Sequence, residues 1–242
     1  MKKLTYALAL CGLATLSSSA FAEVSGNIGI ATDYLFRGIS QTAHKPEISG
    51  GFDYSSDMGF YAGTWLSNQT WVKEGGYEDN SSLEIDLYGG YSGSLPADLG
   101  YDVGLIKYYY PGTALGTTPN TVEAYASLSW KTLSLKYSHA VSDYFVGWGG
   151  GSTKTRGSHY LELNGSYDFG GGWGVLGHIG RQWVKDVSEA NYTDYKVGVT
   201  KDISYGTFTL AYSDTNADKN VYTVNGKDLS KGVAFLSFSK SF

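Results

Sequence analysis

The sequence has little of what marks several common classes of protein. Its 242 residues include one cysteine, Cys11, and only 4 prolines. No apolar run long enough for a membrane-spanning helix, about 20 residues, follows residue 22. Lys and Arg number 18 against 23 Asp and Glu, a formal net charge of -5, so no basic patch is predicted to bind nucleic acid.

The first residues predict an export signal. The pair Lys2–Lys3 precedes the short apolar run Leu4–Leu16, and Ala20–Ala22 is a small-residue cleavage site. We therefore expect residues 1–22 to be removed and residues 23–242 to form a single domain. Cys11 would leave with the signal, and its lipidation is disfavoured because bulky Leu10 precedes it.

What the sequence has in abundance is two-residue alternation. Residues 82–91 place Leu, Ile, Leu, Gly and Tyr on one face and Ser, Glu, Asp, Tyr and Gly on the other. About twelve such segments occur, near the length of about 9–11 residues that a tilted spanning strand needs. Segments 60–65 and 173–182 alternate too weakly for their faces to be assigned. A first strand is predicted to run through Phe36, with Asp33 and Arg37 on its polar face.

The connections between these segments alternate in length. Short turns are predicted at Ser55–Gly59, Ser92–Asp98, Lys131–Thr132, Phe169–Gly172 and Asp202–Gly206. Long polar loops are predicted at Gly38–Pro46, Asn68–Ser81, Pro111–Asn120, Asp143–Gly157, Val184–Tyr192 and Asp214–Lys231. This rhythm is typical of an all-β transmembrane antiparallel up-and-down β-barrel, with short periplasmic turns and long extracellular loops. A soluble β-sandwich also alternates and stays open as an alternative.

Aromatic residues support the membrane interpretation. They make up 15% of the chain, with 21 Tyr. A periplasmic aromatic girdle is predicted from Tyr54, Tyr91, Tyr101, Trp130, Tyr167, Trp173, Tyr205 and Phe242. Phe242 also ends an alternating segment, as in barrels that the outer-membrane insertion machinery recognises. The predicted location is the bacterial outer membrane, with its lipid as one partner.

Four local runs carry a resemblance to a known family. They are Asp33–Gln41 (DYLFRGISQ), Gly59–Trp65 (GFYAGTW), Glu84–Tyr91 (EIDLYGGY) and Tyr108–Gly112 (YYYPG). Together they resemble the TorF-type family of proteobacterial outer-membrane porins. The resemblance implies a porin-like barrel whose substrate is mostly unassigned, and it brings no catalytic residues.

Charged residues on the polar parity predict the functional surface. A charge facing lipid at mid-bilayer would cost about 2–4 kcal/mol for Lys or Arg, so these side chains are expected to point into the lumen. The predicted pore-lining residues are Asp33, Arg37, Glu84, Asp86, Asp102, Glu123, Lys136, Glu162 and Lys196. Arg37 is expected to pair with one acid, Glu84 or Glu47. Acids outnumber bases in this set, which predicts a weak cation preference.

The predicted function is passive diffusion of small hydrophilic solutes or ions, without a cofactor or metal. Three alternatives remain open. The interior could be plugged by loops and ion pairs. The barrel could be an enzyme acting on lipids, although none of the four histidines lies two residues from a serine on one strand face. It could also be a structural or adhesin barrel that uses Trp71, Tyr77, Tyr144 and Trp148 in its loops, where the same rings could instead form a vestibule or pack over the mouth.

Overall fold

The computed structural model describes residues 22–112, 114–150 and 152–242. The predicted signal segment therefore lies outside the described residues, apart from residue 22. Twelve antiparallel strands form a closed barrel in which each strand pairs with its neighbours in sequence. They are β1 (Glu23–Ala31), β2 (Glu47–Ser55), β3 (Phe60–Asn68), β4 (Leu83–Leu95), β5 (Leu99–Tyr109), β6 (Thr121–Trp130), β7 (Leu133–Ala140), β8 (His159–Gly170), β9 (Trp173–Trp183), β10 (Tyr192–Ile203), β11 (Gly206–Thr215) and β12 (Val233–Ser241).

The first and last strands close the ring. Their register runs from Asn27 opposite Ser241 to Ala31 opposite Ser237. Beyond β12, the backbone N–H of Phe242 donates to the Gly26 carbonyl at 3.0 Å. Closure leaves the barrel sheet without an edge strand, so the backbone groups of the wall are hydrogen-bonded within the sheet. The predicted twelve-stranded barrel is confirmed.

The strands orient as the alternation predicted, and the barrel is polar inside and apolar outside. Ile28 keeps 54% of its surface exposed and Val197 keeps 63%, whereas the inward Glu84 and Glu123 are buried. A soluble protein rarely exposes a continuous apolar band, whereas a membrane barrel covers it with lipid. Residues of the predicted girdle, including Trp130, lie on this outer surface near the short turns.

Short turns and long loops fall at opposite ends of the barrel, as predicted. The turns are 56–59, 96–98, 131–132, 171–172 and 204–205, and the loops are 32–46, 69–82, 110–120, 141–158, 184–191 and 216–232. The fourth strand is longer than expected and continues to Leu95. Small elements within the loops are a helix Trp71–Glu74, a 3-10 turn Ser188–Ala190 and two hairpins, Leu35–Phe36 with Ile39–Ser40 and Thr223–Val224 with Lys227–Asp228. Among the described residues, no helix is long and apolar enough to cross a membrane.

Candidate functional site: a barrel lumen crossed by a hairpin

The first long loop folds into the lumen instead of extending away from it. The prediction that β1 runs through Phe36 is wrong, because β1 ends at Ala31. The chain then forms a tight hairpin in which Phe36 pairs with Ile39. Its two turn residues, Arg37 and Gly38, have φ angles of 49° and 79°. Positive φ at both positions is the type I′ geometry that suits a two-residue hairpin.

Asp33 organises the base of this segment, which we call the plug hairpin and define as residues 33–44. Ser40 and Thr42 donate side-chain hydrogen bonds to one Asp33 carboxylate oxygen, at 2.6 and 3.0 Å. The His44 ring contacts the other oxygen at 2.8 Å and the Asp228 carbonyl, also at 2.8 Å. Asp33 was predicted as a pore-lining strand residue. It instead fixes the shape of the plug hairpin, and His44 ties that hairpin to the last long loop.

Arg37 carries the tip of the plug hairpin across the barrel. Its guanidinium makes two hydrogen bonds to the Glu123 carboxylate on β6, at 3.1 and 2.7 Å, and a third to the Gln182 side chain on β9, at 2.8 Å. Its Cζ atom lies 4.3 Å from the centroid of the Tyr160 ring. The prediction that Arg37 pairs with Glu84 or Glu47 is wrong. The bidentate pair is buried, with 8% of the Arg37 side chain exposed and none of that of Glu123.

Gly38 lets the tip approach the far wall. A Cβ atom at this position would lie 2.5 Å from Cγ2 of Thr215 on β11 and 2.8 Å from Cβ of Asp194 on β10. A larger residue would clash there and would also strain the positive φ. The glycine of the DYLFRG run therefore serves a close packing contact inside the barrel.

The sides of the plug hairpin contact the remaining lumen wall. The Tyr34 hydroxyl donates to Glu84 on β4 at 3.0 Å, and the Tyr34 ring packs edge-on against Trp65 on β3 with centroids 5.4 Å apart. On the other side, Leu35 packs with Ala211 and Phe235 in a small buried cluster. The plug hairpin thus contacts strands around the barrel at the long-loop end.

The other long loops form an apolar cap over the plug hairpin. Val72 is fully buried, and the cap also includes Trp71, Tyr110, Phe145, Val184 and Tyr222. Trp71 packs edge-on against Tyr110 at 5.3 Å, and Trp148 against Tyr222 at 5.5 Å. The sequence left several roles open for the aromatic residues of the loops. Trp71, Tyr77 and Trp148 pack over the mouth of the barrel.

One side of the inner wall is filled by tyrosines bonded to carboxylates. The Tyr61 hydroxyl donates to Asp102 at 2.5 Å and also contacts the Tyr125 hydroxyl, and Tyr88 donates to Asp53 at 2.5 Å. These residues lie on β2 to β6. Their rings span the lumen side of those strands, so this wall is packed with side chains.

The opposite side of the wall, on β7 to β12, borders a cavity. Its empty volume is about 1280 Å³, part of it open to solvent. It extends from Arg37 of the plug hairpin toward Asp202 and Thr207 beside a short turn. Three of the predicted charged residues, Lys136, Glu162 and Lys196, line it. The cavity therefore faces the short-turn end, while the plug hairpin closes the other.

The cavity contains a hydrogen-bonded cluster around His178 that was not predicted. His178 on β9 contacts the Asp194 carboxylate through Nε2 at 2.7 Å and the Asn164 side-chain oxygen through Nδ1 at 2.7 Å. Asn164 in turn donates its amide to Glu162 at 2.9 Å, which fixes its oxygen toward the histidine. Both ring nitrogens of His178 thus face polar side chains of neighbouring strands. Since these contacts join three strands, they depend on strand register and not on sequence spacing.

The remaining predicted residues divide between the two walls. Glu84 and Asp86 are buried on β4, with Glu84 bonded to the plug hairpin, and Asp102 belongs to the tyrosine wall. Lys136 links the walls because its ammonium lies 4.3 Å from the Tyr125 ring centroid. All the predicted residues on strands point inward. Their lining of a conducting path stays a prediction.

Known structures with a similar fold are outer-membrane barrels. The KdgM porin aligns with a TM-score of 0.55 and 8% identity over 90% of this chain and 98% of its own. The NanC porin aligns at 0.54 and 11% over 90% and 98%, and an outer-membrane channel from Pseudomonas putida F1 at 0.51 and 10% over 96% and 100%. A further KdgM porin structure is a complex with disordered oligogalacturonate. At these identities the likeness is one of fold, and it supports the outer-membrane location.

Sequence comparison gives the family. No curated protein matches the chain. The porin-like barrel that the sequence resemblance implied is supported by the similar structures, but the TorF name is not supported. The model that matches, over residues 15–242, is described as a bacterial protein of unknown function (Gcw_chp), and the chain belongs to that family.

Proposed function

We propose that this protein is an outer-membrane channel for small hydrophilic solutes, and that the plug hairpin is its gate. The observation that carries the proposal is the path of Arg37, from a loop between β1 and β2 to the buried Glu123 on β6. A barrel of this size has an interior wider than its side chains alone fill, and the plug hairpin occupies the excess. The export segment 1–22 and recognition of Phe242 by the insertion machinery belong to the same proposal.

The composition of the plug hairpin supports reversible docking. Asp33, Arg37, Ser40, Thr42 and His44 regain hydration when the hairpin leaves the lumen, which offsets part of the cost of exposing the apolar Leu35 and Ile39. A buried ion pair holds its partners in register, but its net contribution to stability is small because desolvation opposes the Coulomb attraction. The ion pair therefore gives the docked state its specificity, and reversible docking requires little further stability from it.

Conductance across a planar bilayer tests the proposal. We expect full-length folded protein to show rare, discrete openings, because the plug hairpin must leave before ions pass. A variant with residues 35–40 replaced by a short Gly-Ser linker should stay open for most of the recording. Shortening the exposed hairpin tip at 225–226 is the matched control and should leave the opening frequency unchanged.

A closed structural barrel is the second candidate, and the packed apolar cap favours it. It predicts no conductance from either the full-length protein or the shortened variant, although both migrate as folded barrels. An enzyme that acts on lipids has less support, because no histidine ring among the described residues has a serine hydroxyl as a hydrogen-bond partner.

We also propose that the open channel weakly prefers cations. Departure of the plug hairpin would remove Arg37 from Glu123 and Tyr34 from Glu84, leaving carboxylates on the lumen wall. In the shortened, open variant we expect Glu84→Gln combined with Asp86→Asn to move the reversal potential in a salt gradient toward zero by several millivolts. Asp57→Asn in a short turn is the control and should have no effect, since water at about 0.15 M salt screens that charge within about 8 Å. An unchanged reversal potential in the double variant would place these carboxylates away from the conducting path.

A further inference from the structure

A cluster of histidine and tryptophan side chains lies on the outer surface of the barrel at the long-loop end. His139 on β7 is directly opposite His159 on β8, and His159 is opposite Trp183 on β9. The rings of His159 and Trp183 stack with centroids 4.9 Å apart at an interplanar angle of 20°. The residues next to them in sequence, Tyr160 and Gln182, are buried in the lumen. Because successive side chains of a strand point to opposite faces, these three rings face outward.

Arg181 lies two residues before Trp183 on β9, on the same outer face and farther from the long loops. It donates to the Thr193 hydroxyl at 2.9 Å, and its Cζ atom lies 5.4 Å from the centroid of the Trp183 ring. None of the ion pairs within the described ranges of the chain includes Arg181. An arginine on the lipid face is costly unless its long side chain reaches the polar headgroup region. The Trp183 contact directs its guanidinium toward that region.

The two histidines differ in what they offer a ligand, because only His139 can keep a ring N–H free while its other nitrogen accepts a hydrogen bond. His139 Nδ1 contacts the Tyr137 hydroxyl at 3.1 Å, and His159 Nδ1 contacts the Gly157 carbonyl, also at 3.1 Å. A second full cation lies close by, because a Cβ atom at Gly157 would be 3.4 Å from Cδ of Lys185 and 3.9 Å from Cε1 of His139. Lys185 and the two imidazoles therefore lie close together, and Arg181 lies on the next strand beside Trp183.

We propose that His139, Arg181 and Lys185 bind the phosphate groups of a diphosphorylated glycolipid in the outer leaflet, with the stacked rings of His159 and Trp183 between them. His139 and Arg181 are two strands apart, about 10 Å across the sheet at about 4.8 Å per strand, a separation that the two phosphates of one headgroup can bridge. The long loops mark the extracellular end, so the patch lies at the outer leaflet. Trp183 anchors this level at the interface, and basic residues there attract anionic headgroups.

This inference is independent of the proposed channel, because it concerns the outer wall and not the lumen. Lys107 on β5 provides a matched comparison. It also faces outward at the long-loop end, where its ammonium lies 5.3 Å from the Tyr109 ring centroid, but Val122 and Leu87 are its cross-strand partners. It therefore supplies a cation at the same level without histidines beside it.

Native mass spectrometry of the folded full chain in detergent tests the site. The probes are a diphosphorylated glycolipid and the same glycolipid with its phosphates removed. We expect the phosphorylated form to be retained preferentially, and Arg181→Gln with Lys185→Gln to lower its affinity roughly fivefold for each cation removed. Lys107→Gln should leave the affinity unchanged, and heat-modifiable migration verifies that each variant is folded.

The test includes one conservative variant and one competition experiment. Arg181→Lys, which keeps the charge but loses the planar fork, should retain an intermediate affinity even where the double variant folds poorly. Inorganic phosphate should compete only weakly, since the acyl chains hold the lipid against the barrel. Equal retention of both glycolipids, full competition by inorganic phosphate, or a patch that is covered by a second copy of the chain would overturn the proposal.

Discussion

The two sides of the inner wall use the same kinds of residues in opposite ways. Glu123 near the long loops and Glu162 in the cavity both point inward from strands, as the alternation predicts. Glu123 is fully buried beneath Arg37, whereas Glu162 keeps 18% of its side chain exposed beside His178 and Asn164. An inward position thus places a charge in the lumen, but a covering loop decides whether that charge meets water.

Removing each glutamate in turn should give the largest difference between the two sides. Glu123→Gln leaves the Arg37 guanidinium buried without its anion, which disfavours the docked plug hairpin by about 3–5 kcal/mol. We expect the fraction of time that the channel is open in a planar bilayer to rise by at least about a hundredfold. Glu162→Gln, which removes the same charge from the cavity wall, should leave that fraction nearly unchanged.

The comparison of Glu123→Gln with Glu162→Gln can also contradict the account. Equal opening frequencies in the two variants would mean that the ion pair does not hold the gate. A double-mutant cycle with Arg37→Gln sharpens the comparison, because removing both partners should open the channel less than the single Glu123→Gln change.

A pair of glycines gives a smaller expected effect. Gly38 and Gly226 both have positive φ, 79° and 76°, but only Gly38 is surrounded by other atoms, since a Cβ atom at Gly226 would meet nothing within 4 Å. Alanine strains either backbone by about 1–2 kcal/mol, and at Gly38 overpacking adds about 1–3 kcal/mol. Gly38→Ala should therefore displace the plug hairpin much more often than Gly226→Ala.

Trypsin can measure that difference directly, because the peptide bond after Arg37 is accessible only when the plug hairpin has left the lumen. We expect cleavage at this bond to be at least tenfold faster in Gly38→Ala than in Gly226→Ala, roughly the ratio that 1.4 kcal/mol produces. Similar cleavage rates in both variants would show that Gly38 is not packed against Thr215 in the docked state.

The sequence was sufficient to predict the barrel, and it left a plugged interior open without locating the plug. Alternation fixes which residues face lipid, and loop lengths separate the two ends, because both are local properties of the chain. The plug hairpin escaped prediction because its arms also alternate, so Tyr34 and Phe36 continue the pattern of β1. The dipeptide Arg37-Gly38, with a glycine suited to positive φ, was the available sign of a turn. The cavity cluster around His178 needed the register of three strands, which no local pattern contains.

A removable cross-link between the plug hairpin and the barrel wall tests the gate most directly. The only cysteine, Cys11, lies in the predicted signal segment, so introduced cysteines would have no native competitor. A Cβ atom at Gly38 would lie 2.5 Å from Cγ2 of Thr215, close enough for Gly38→Cys and Thr215→Cys to form a disulfide after small adjustments. With this disulfide formed, the account predicts no openings in a planar bilayer, and a reducing agent added to the same membrane should produce discrete openings. Openings of equal size and frequency before and after reduction would contradict the claim that the plug hairpin closes the lumen.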